Sequence, residues 1–223
     1  MQGPRFHVLR WVALLAANVA VGCAAEEPMV TASPVDPQLM AQSRKDLTTS
    51  LQETRNTAIK VKDQASMTIT ALDRLVDPKQ TDLHSAYDSF SKAVAALDSE
   101  AASMKDIAGK MNSGGQKFFS NWEQDLASLA NKDVRAEGES RHKEVLEEFT
   151  DAQSSLDKTL GSVTDLQVLV GDVKTYLGNA LSTEGVEQMS SVADEARKSS
   201  GKLGKLIDST TEAIDRVVKE LPS

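Results

Sequence analysis

Few side chains in this chain of 223 residues have the types and spacing needed for acid–base or metal chemistry. Glu139 and His142 form a Glu-x-x-His pair, which is one half of the ligand set in carboxylate di-iron helical bundles. His84 is the other histidine beyond the first thirty residues, and Thr81 stands where a second pair would need its glutamate. The sequence therefore predicts no metal site, and both histidines are interpreted as solvated side chains.

A glycine–lysine segment, Gly201-Lys202-Leu203-Gly204-Lys205, is a loose match to phosphate-binding loops. It lacks the preceding strand and the four-residue gap of such loops, and it lies within a run of helical apolar spacing. Its glycines are expected to let two helices approach each other closely. Because no histidine accompanies a candidate nucleophile and no paired-carboxylate signature is present, we predict no catalytic residue, no cofactor and no enzymatic activity.

The single cysteine, Cys23, has a position that indicates a covalent modification. It follows a basic start and the apolar stretch Trp11–Val21, which is shorter than the roughly 20 residues needed to span a bilayer and is typical of a signal peptide. The string Ala20-Val21-Gly22-Cys23-Ala24 resembles the lipobox of bacterial lipoproteins, in which the cysteine becomes the first residue and carries acyl chains. The resemblance implies that residues 1–22 are a signal peptide and that Cys23 is lipidated. The alternative is an ordinary cleaved signal with an incidental cysteine.

The residue after the cysteine and the net charge indicate where such a lipoprotein would reside. Ala24, rather than aspartate, follows Cys23, and in proteobacterial lipoproteins this implies sorting to the outer membrane. Residues 23–223 contain 23 basic and 33 acidic side chains, a net charge of −10. An anionic leaflet or a nucleic acid would repel this body, so the lipid has to supply the attachment to the membrane. We expect an outer-membrane lipoprotein that faces the periplasm and has no nucleic-acid partner.

The prolines mark the boundary between this N-terminal region and a helical domain. Pro28, Pro34 and Pro37 are half of the six prolines, and no apolar period runs through their surroundings. Residues 23–37 are therefore predicted to be the lipidated cysteine and a proline-rich tether, and residues 38–223 a helical domain. Asp36-Pro37 and Asp77-Pro78 each place a capping carboxylate before a proline suited to the first helical turn, so each predicts the start of a helix.

The spacing of apolar residues predicts the fold. Steps of three and four residues recur over residues 47–72 and alternate strictly over residues 83–111 and 186–221, which is the heptad signal of long packed helices. A fourth series covers residues 145–177, and its consecutive four-residue steps at Ala152–Leu156–Leu160 predict a stutter. No stretch alternates with period two. The predicted fold class is all-α: an elongated antiparallel bundle of about four long helices with coiled-coil heptads.

Three breaks in the pattern are expected to delimit the helices. Asn131-Lys132-Asp133 is predicted to be a turn, and Ser182-Thr183 is predicted to cap the last helix. Gly114-Gly115 could end the second helix, yet the heptad phase continues from Met111 to Trp122. Both alternatives remain open at this point, because glycine disfavours a helix interior while the apolar phase favours a continuous helix.

An aromatic segment stands out in a chain that is otherwise poor in aromatic residues. Phe118, Phe119 and Trp122 are three of the seven aromatic residues that follow Cys23. The heptad phase buries Phe118 and Trp122 on one face and turns Phe119 partly outward. The segment is either an aromatic layer of the core or a contact patch for a partner protein.

Part of the sequence is similar to a known family. The run Phe118–Glu123, the following turn region 131–140 and the segment Asp172–Leu181 resemble recurrent stretches of a bacterial family, domain of unknown function 2959. The likeness extends over residues 44–220. It implies an exported or lipid-anchored helical protein, and it brings no established activity or catalytic residue to this chain.

Together these features favour a structural function over a chemical one. The expected function is that of a non-enzymatic periplasmic scaffold, spacer or adaptor for envelope proteins, with an unknown protein partner. Small and hydroxylated residues at heptad positions leave a lean interior, so some heptad faces could instead mediate self-association. The alternative function is binding of lipid or another hydrophobic ligand by amphipathic helices that open around apolar cargo.

Overall fold

The computed structural model describes residues 33–222, so the predictions on residues 1–32, including the signal peptide and Cys23, lie outside the described residues. The described chain folds into four long helices and one short one: α1 Pro37–Leu75, α2 Leu83–Ser128, α3 Lys132–Asn179, α4 Thr183–Gln188 and α5 Ser190–Glu220. Residues 33–222 contain no strand, which confirms the all-α prediction. None of these helices is long and apolar enough to cross a membrane.

The long helices form a ring. Helix α1 packs on α2 and α5, and α3 packs on the same two helices. Side-chain pairs between α1 and α5 have the order expected of antiparallel neighbours: Arg55–Asp215, Lys62–Asp208 and Asp73–Arg197. The longest helix, α3, has 48 residues and is therefore about 70 Å long at about 1.5 Å per residue. The predicted antiparallel bundle is confirmed.

Most residues of the core occupy predicted heptad positions. Each long helix contributes apolar side chains that are closed to solvent, for example Leu51 in α1, Phe90 in α2, Leu166 in α3 and Ile207 in α5. They belong to one continuous hydrophobic cluster along the ring. Removal of this apolar surface from water is the main force that holds the bundle together.

The predicted stutter in α3 is wrong, because a threonine occupies the core position that the apolar pattern missed. Leu156 is followed in the core by Thr159, which is fully buried, whereas Leu160 is only partly buried. The Thr159 hydroxyl donates to the carbonyl oxygen of Ser155 and lies 2.9 Å from the hydroxyl of Thr210 in α5. A hydroxyl that is satisfied in this way can take a core position, so the heptad continues without interruption.

The two Asp-Pro sequences have different structural roles. Asp36 caps α1 as predicted, because its carboxylate accepts the Gln38 N–H and Pro37 begins the helix. The predicted helix start at Asp77-Pro78 is wrong. Asp77 closes a turn, in which its carboxylate accepts the Lys79 N–H and its carbonyl accepts the Gln80 N–H. Helix α2 instead begins after Asp82, whose carboxylate accepts the Ser85 N–H.

The caps predicted at Asn131 and Ser182 are both present, but the helix that follows Ser182 is shorter than predicted. The Asn131 side chain accepts the N–H groups of Asp133 and Val134 and so begins α3. Ser182 accepts the Gly185 N–H, but the helix that it caps is the short α4. Helix α4 ends at Gln188, and the long helix α5 begins at Ser190, after Met189.

The glycines explain how α2 can be continuous. Helix α2 runs through Gly114-Gly115, and a Cβ atom at Gly115 would overlap the ring of Phe149 in α3. Glycine is therefore needed at this position for the two helices to approach each other. The close approach predicted at Gly201 is wrong, because nothing lies within 4 Å of a Cβ atom built there. A Cβ atom built at Gly204 would lie 3.7 Å from the Cε atom of Lys62 in α1, which is an ordinary van der Waals distance.

Candidate functional site

The predicted aromatic segment lies where α2 and α3 approach each other near the α2–α3 connection. Phe118, Phe119 and Trp122 of α2 join His142 and Phe149 of α3, and we call these five residues the aromatic cluster. The ring centroids of Phe118 and Phe119 are 5.2 Å apart, and those of Phe119 and Phe149 are 5.3 Å apart. These separations and the tilted or edge-on orientations are those that aromatic pairs favour in protein cores.

Burial within the aromatic cluster differs from what the heptad phase predicts. Phe118 is fully buried and Phe119 is 6% exposed, although the sequence turns Phe119 partly outward. The side chains of Phe149 and His142 from α3 cover it. Trp122, predicted to be buried, is only partly buried because it lies close to the end of the bundle. The aromatic layer of the core thus accounts for both phenylalanines, and Trp122 is the member of the predicted trio that reaches the surface.

His142 is not the solvated side chain that the sequence predicts. Its ring is partly buried and meets the rings of Phe119 and Trp122 edge-on, with centroids 5.6 and 5.2 Å apart. Its Nε2 atom lies 3.3 Å from the carbonyl oxygen of Phe119. His84 is exposed as predicted, and Glu139 is exposed as well. No group of three or more histidine, cysteine, aspartate or glutamate side chains that could hold a metal ion occurs within residues 33–222.

A cavity of about 580 Å³ lies next to the aromatic cluster, at the end of the bundle where α1 begins and α2 and α5 end. We call it the terminal cavity. Its walls come from the segment before α1, the first turns of α1, the last turns of α2 and the residue that follows α5. The side chains in these walls include Val35, Met40, Ala41, Arg44, Trp122, Asp125 and Leu129. This volume falls within the range of about 300–1,000 Å³ that is common for small-molecule sites.

The segment that precedes α1 forms one wall of the terminal cavity. The Val35 N–H donates to Oδ1 of Asp125 over 2.8 Å, and the Val35 side chain is buried. The Gln124 side-chain amide also donates to the carbonyl oxygen of Ser33. The last residues of the region predicted to be a tether therefore pack against α2. The sequence gives no local signal for this contact, since Val35 and Asp125 are 90 positions apart.

Two charged side chains lie in the walls of the terminal cavity. Asp125 is engaged with the Val35 N–H, as described above. Arg44 donates from Nη1 to the carbonyl oxygen of Pro222 over 2.9 Å, which ties the start of α1 to the end of α5. No motif in the sequence marks either residue as functional. Arg44 could have been noticed as a basic residue three positions before the buried Leu47, but nothing in the sequence places it beside an aromatic segment.

A second basic residue fastens the same end of the bundle. Arg141 of α3 donates from Nη2 to both the carbonyl oxygen and the carboxylate of Glu220, the last residue of α5. The hydrogen bond to Glu220 raises the pKa of Arg141 above its ordinary value. Because an arginine is already protonated throughout the physiological range, this change creates no titration there. Its consequence is geometric, since it holds the end of α5 against α3.

Fold and site together define an all-α protein of the antiparallel four-helix-bundle class with a cavity at one end. The chain belongs to the family described as protein of unknown function (DUF2959), whose model matches residues 38–221. No curated protein and no solved structure matches the chain. The family resemblance predicted over residues 44–220 is confirmed, and the matched region begins close to the start of α1.

Proposed function

We propose that the protein is a non-enzymatic lipoprotein of the bacterial cell envelope, anchored through Cys23, whose helical bundle acts as a scaffold, spacer or adaptor for envelope proteins. The observation that carries this proposal is the continuous core shared by all four long helices. A packed interior has few voids and low compressibility, so the two ends of such a bundle keep a fixed separation. This property suits a spacer.

The topology supports a polarity for this role. The described chain enters the bundle at the end with the terminal cavity, where α1 begins. The α1–α2 connection lies at the other end, and the 39 residues of α1 separate the two ends by about 60 Å. A membrane anchor on Cys23 would be joined to the first end through the intervening chain. A partner bound at the α1–α2 connection would then be held tens of ångströms from that end.

The net charge supports a protein partner rather than direct adsorption to lipid. The body after residue 22 has a net charge of −10, which an anionic leaflet repels. The partner is therefore expected to present a basic or uncharged surface to the helices. Electrostatic complementarity of this kind would steer the encounter and determine which partner is accepted.

Fractionation of the cell envelope tests the anchoring part of the proposal. Wild type and Cys23→Ala are expressed with a radiolabelled fatty acid, and both label and membrane association should require Cys23. Ala24→Asp is the matched variant for location, because it should remain acylated but be retained in the inner membrane. A wild-type protein that is unlabelled and soluble would contradict the proposal and would favour a free periplasmic carrier.

Crosslinking and dye binding test the scaffold part. A photo-reactive residue in place of the exposed Lys79 should capture a defined envelope protein, while one at the opposite end, at Ala127, should not capture the same protein. The alternative function, a bundle that opens around lipid, predicts large dye-accessible apolar surface and a change in stability when lipid is added. A scaffold should unfold cooperatively, bind little dye and keep the same melting temperature with lipid vesicles.

A further inference from the structure

The terminal cavity differs from the rest of the bundle because it leaves apolar side chains around an open space. Met40, Trp122 and Leu129 line it, together with the buried Val35. Cavities of about 480 and 400 Å³ along the bundle have a larger share of charged and polar side chains in their walls. Small-molecule sites are typically concave and mostly apolar, with a few polar groups that fix the orientation of the ligand. The terminal cavity has these properties.

The charges in the cavity wall restrict the chemistry of a ligand. The Oδ1 atom of Asp125, in α2, accepts a hydrogen bond from the Val35 N–H in the segment before α1. Arg44 is partly exposed and uses one guanidinium nitrogen, Nη1, for the carbonyl oxygen of Pro222. A guanidinium group has five N–H donors in a planar fork that suits a carboxylate. Arg44 is therefore the side chain in this wall that can bind an anionic head, and the apolar side chains can accommodate a hydrocarbon body.

We propose that the terminal cavity binds one fatty acid, with the carboxylate at Arg44 and the hydrocarbon chain against Met40, Trp122 and Leu129. A hydrocarbon chain can lie against this wall, because its apolar side chains come from the segment before α1, from α1 and from the end of α2. This binding does not depend on lipidation of Cys23, and it does not require the helices to separate. It is therefore distinct from the scaffold role and from opening of the bundle around lipid.

Trp122 provides the signal for a binding experiment. The chain has two tryptophans, Trp11 and Trp122, and Trp11 lies in the predicted signal peptide. Trp122 alone therefore reports after cleavage, and Trp11→Phe removes the second signal from any uncleaved protein. Dodecanoate, titrated below its critical micelle concentration, should change Trp122 fluorescence saturably with one molecule per chain. The methyl ester of the same acid serves as the uncharged probe. It should bind in the same place but more weakly.

Two pairs of matched variants separate the head and the chain of the ligand. Arg44→Gln should weaken dodecanoate about tenfold and leave the methyl ester unchanged, since it removes a charge-assisted hydrogen bond. Lys45→Gln, at the exposed neighbouring position, should affect neither ligand. Ala41→Phe places a ring in the cavity wall and should abolish binding of both ligands. Ala127→Phe makes the same change at an exposed position of α2 that does not line the cavity, and this variant should bind both ligands normally.

The results also decide between this ligand and other occupants. Absence of saturable binding in the Trp11→Phe protein would overturn the proposal, as would equal weakening by Arg44→Gln and Lys45→Gln. If an apolar peptide displaces a bound fluorescent fatty acid and binds more tightly than dodecanoate, the cavity is a peptide site and the proposal fails. Binding should be the same in Cys23→Ala, so failure of lipid anchoring and failure of fatty-acid binding can be told apart.

Discussion

Helix α1 packs against α2 through apolar side chains and hydrogen bonds from Thr68 and Gln64 to one carbonyl oxygen, whereas α5 is joined to both of its neighbours by exposed ion pairs as well. Between α1 and α2, Thr68 donates to the carbonyl oxygen of Ala93, and the surrounding core includes Phe90 and Leu97. Helix α5 contributes smaller core residues near its start, Ala193 and Ala196. The interhelical ion pairs found within residues 33–222 all involve α5: Arg55–Asp215, Lys62–Asp208, Asp73–Arg197, Arg141–Glu220 and Glu148–Arg216.

In this bundle, buried apolar contacts contribute most of the stability, whereas ion pairs contribute to the alignment of α5 along its neighbours. Exposed ion pairs typically contribute only about 0–1 kcal/mol each, so they do not replace buried apolar area. They do discriminate between alternative alignments of α5, because a shift along the helix would separate charges that are paired in the observed alignment. We therefore expect substitutions in the α1–α2 core to cost the most, and substitutions in the ion pairs of α5 to cost the least.

The largest effect is expected from truncation of a core side chain of α2. Leu97→Ala leaves a void at a fully buried position and should lower the free energy of unfolding by about 2–5 kcal/mol. Chemical denaturation followed by circular dichroism measures it. Met67→Ala, at a position that is 60% exposed on α1, is the control and should change stability by less than about 0.5 kcal/mol. Similar losses from both substitutions would show that the α1–α2 interface is not the main source of stability.

The next effect concerns the close contact between α2 and α3. Gly115→Ala places a methyl group where the ring of Phe149 lies and should destabilise the bundle by about 1–3 kcal/mol, despite the higher helix propensity of alanine. Gly109→Ala, in the same helix with nothing within 4 Å, should instead stabilise by up to about 1 kcal/mol. Thermal melts of the two variants provide the comparison. A stabilising Gly115→Ala would mean that Phe149 can move away without loss of packing.

A smaller effect is expected in the hydroxyl layer that joins α3 to α5. Thr210→Val should cost about 1 kcal/mol, because the hydroxyl groups of Thr159 and Ser155 each lose a partner. Replacement of both Thr159 and Thr210 by valine should recover much of that loss, because apolar groups of the same shape then meet in the core. The four proteins of this double-mutant cycle are compared by urea denaturation. Strictly additive losses would show that the two hydroxyl groups do not act together.

The smallest effect is expected from the ion pair between Lys62 and Asp208. Its Nζ and Oδ1 atoms are 2.6 Å apart, and both side chains are well exposed. A double-mutant cycle with Lys62→Gln and Asp208→Asn should give a coupling energy of about 0.2–1 kcal/mol at low ionic strength. The coupling should fall when the salt concentration is raised to 1 M, where the screening length is about 3 Å. A coupling as large as the Leu97→Ala loss would reverse the order proposed for the two regions.

The helices could be predicted from the sequence because each long helix buries one stripe of its surface along its whole length. Each long helix has a series of apolar residues at the heptad spacing. Leu72 in α1, Leu97 in α2, Leu166 in α3 and Ile214 in α5 are members of these series, and all four are buried. The errors arose where a polar group takes an apolar position or where two local signals look alike. Thr159 is buried with its hydroxyl satisfied, and Asp77-Pro78 has the residues of a helix cap but forms a turn.

The site could be predicted less well because its parts are distant in sequence. The aromatic segment was identified from composition, yet burial of Phe119 depends on Phe149 and His142 of another helix. The terminal cavity requires residues before α1 to meet the end of α2, and no local periodicity encodes that contact. Heptad spacing defines which face of a helix is buried, but it does not specify where the packed layers end.

The hydrogen bond from Arg44 to Pro222 brings the first turns of α1 next to the last residue described after α5. The start of α1 and the end of α5 are thus neighbouring ends of the bundle. A short linker could join them in a circular permutation of the helical domain, with new ends opened elsewhere. The exposed turn around Pro78, between α1 and α2, is the natural place for the cut. The order in which the four helices occur along the chain would change, while each helix would keep both of its neighbours in the ring.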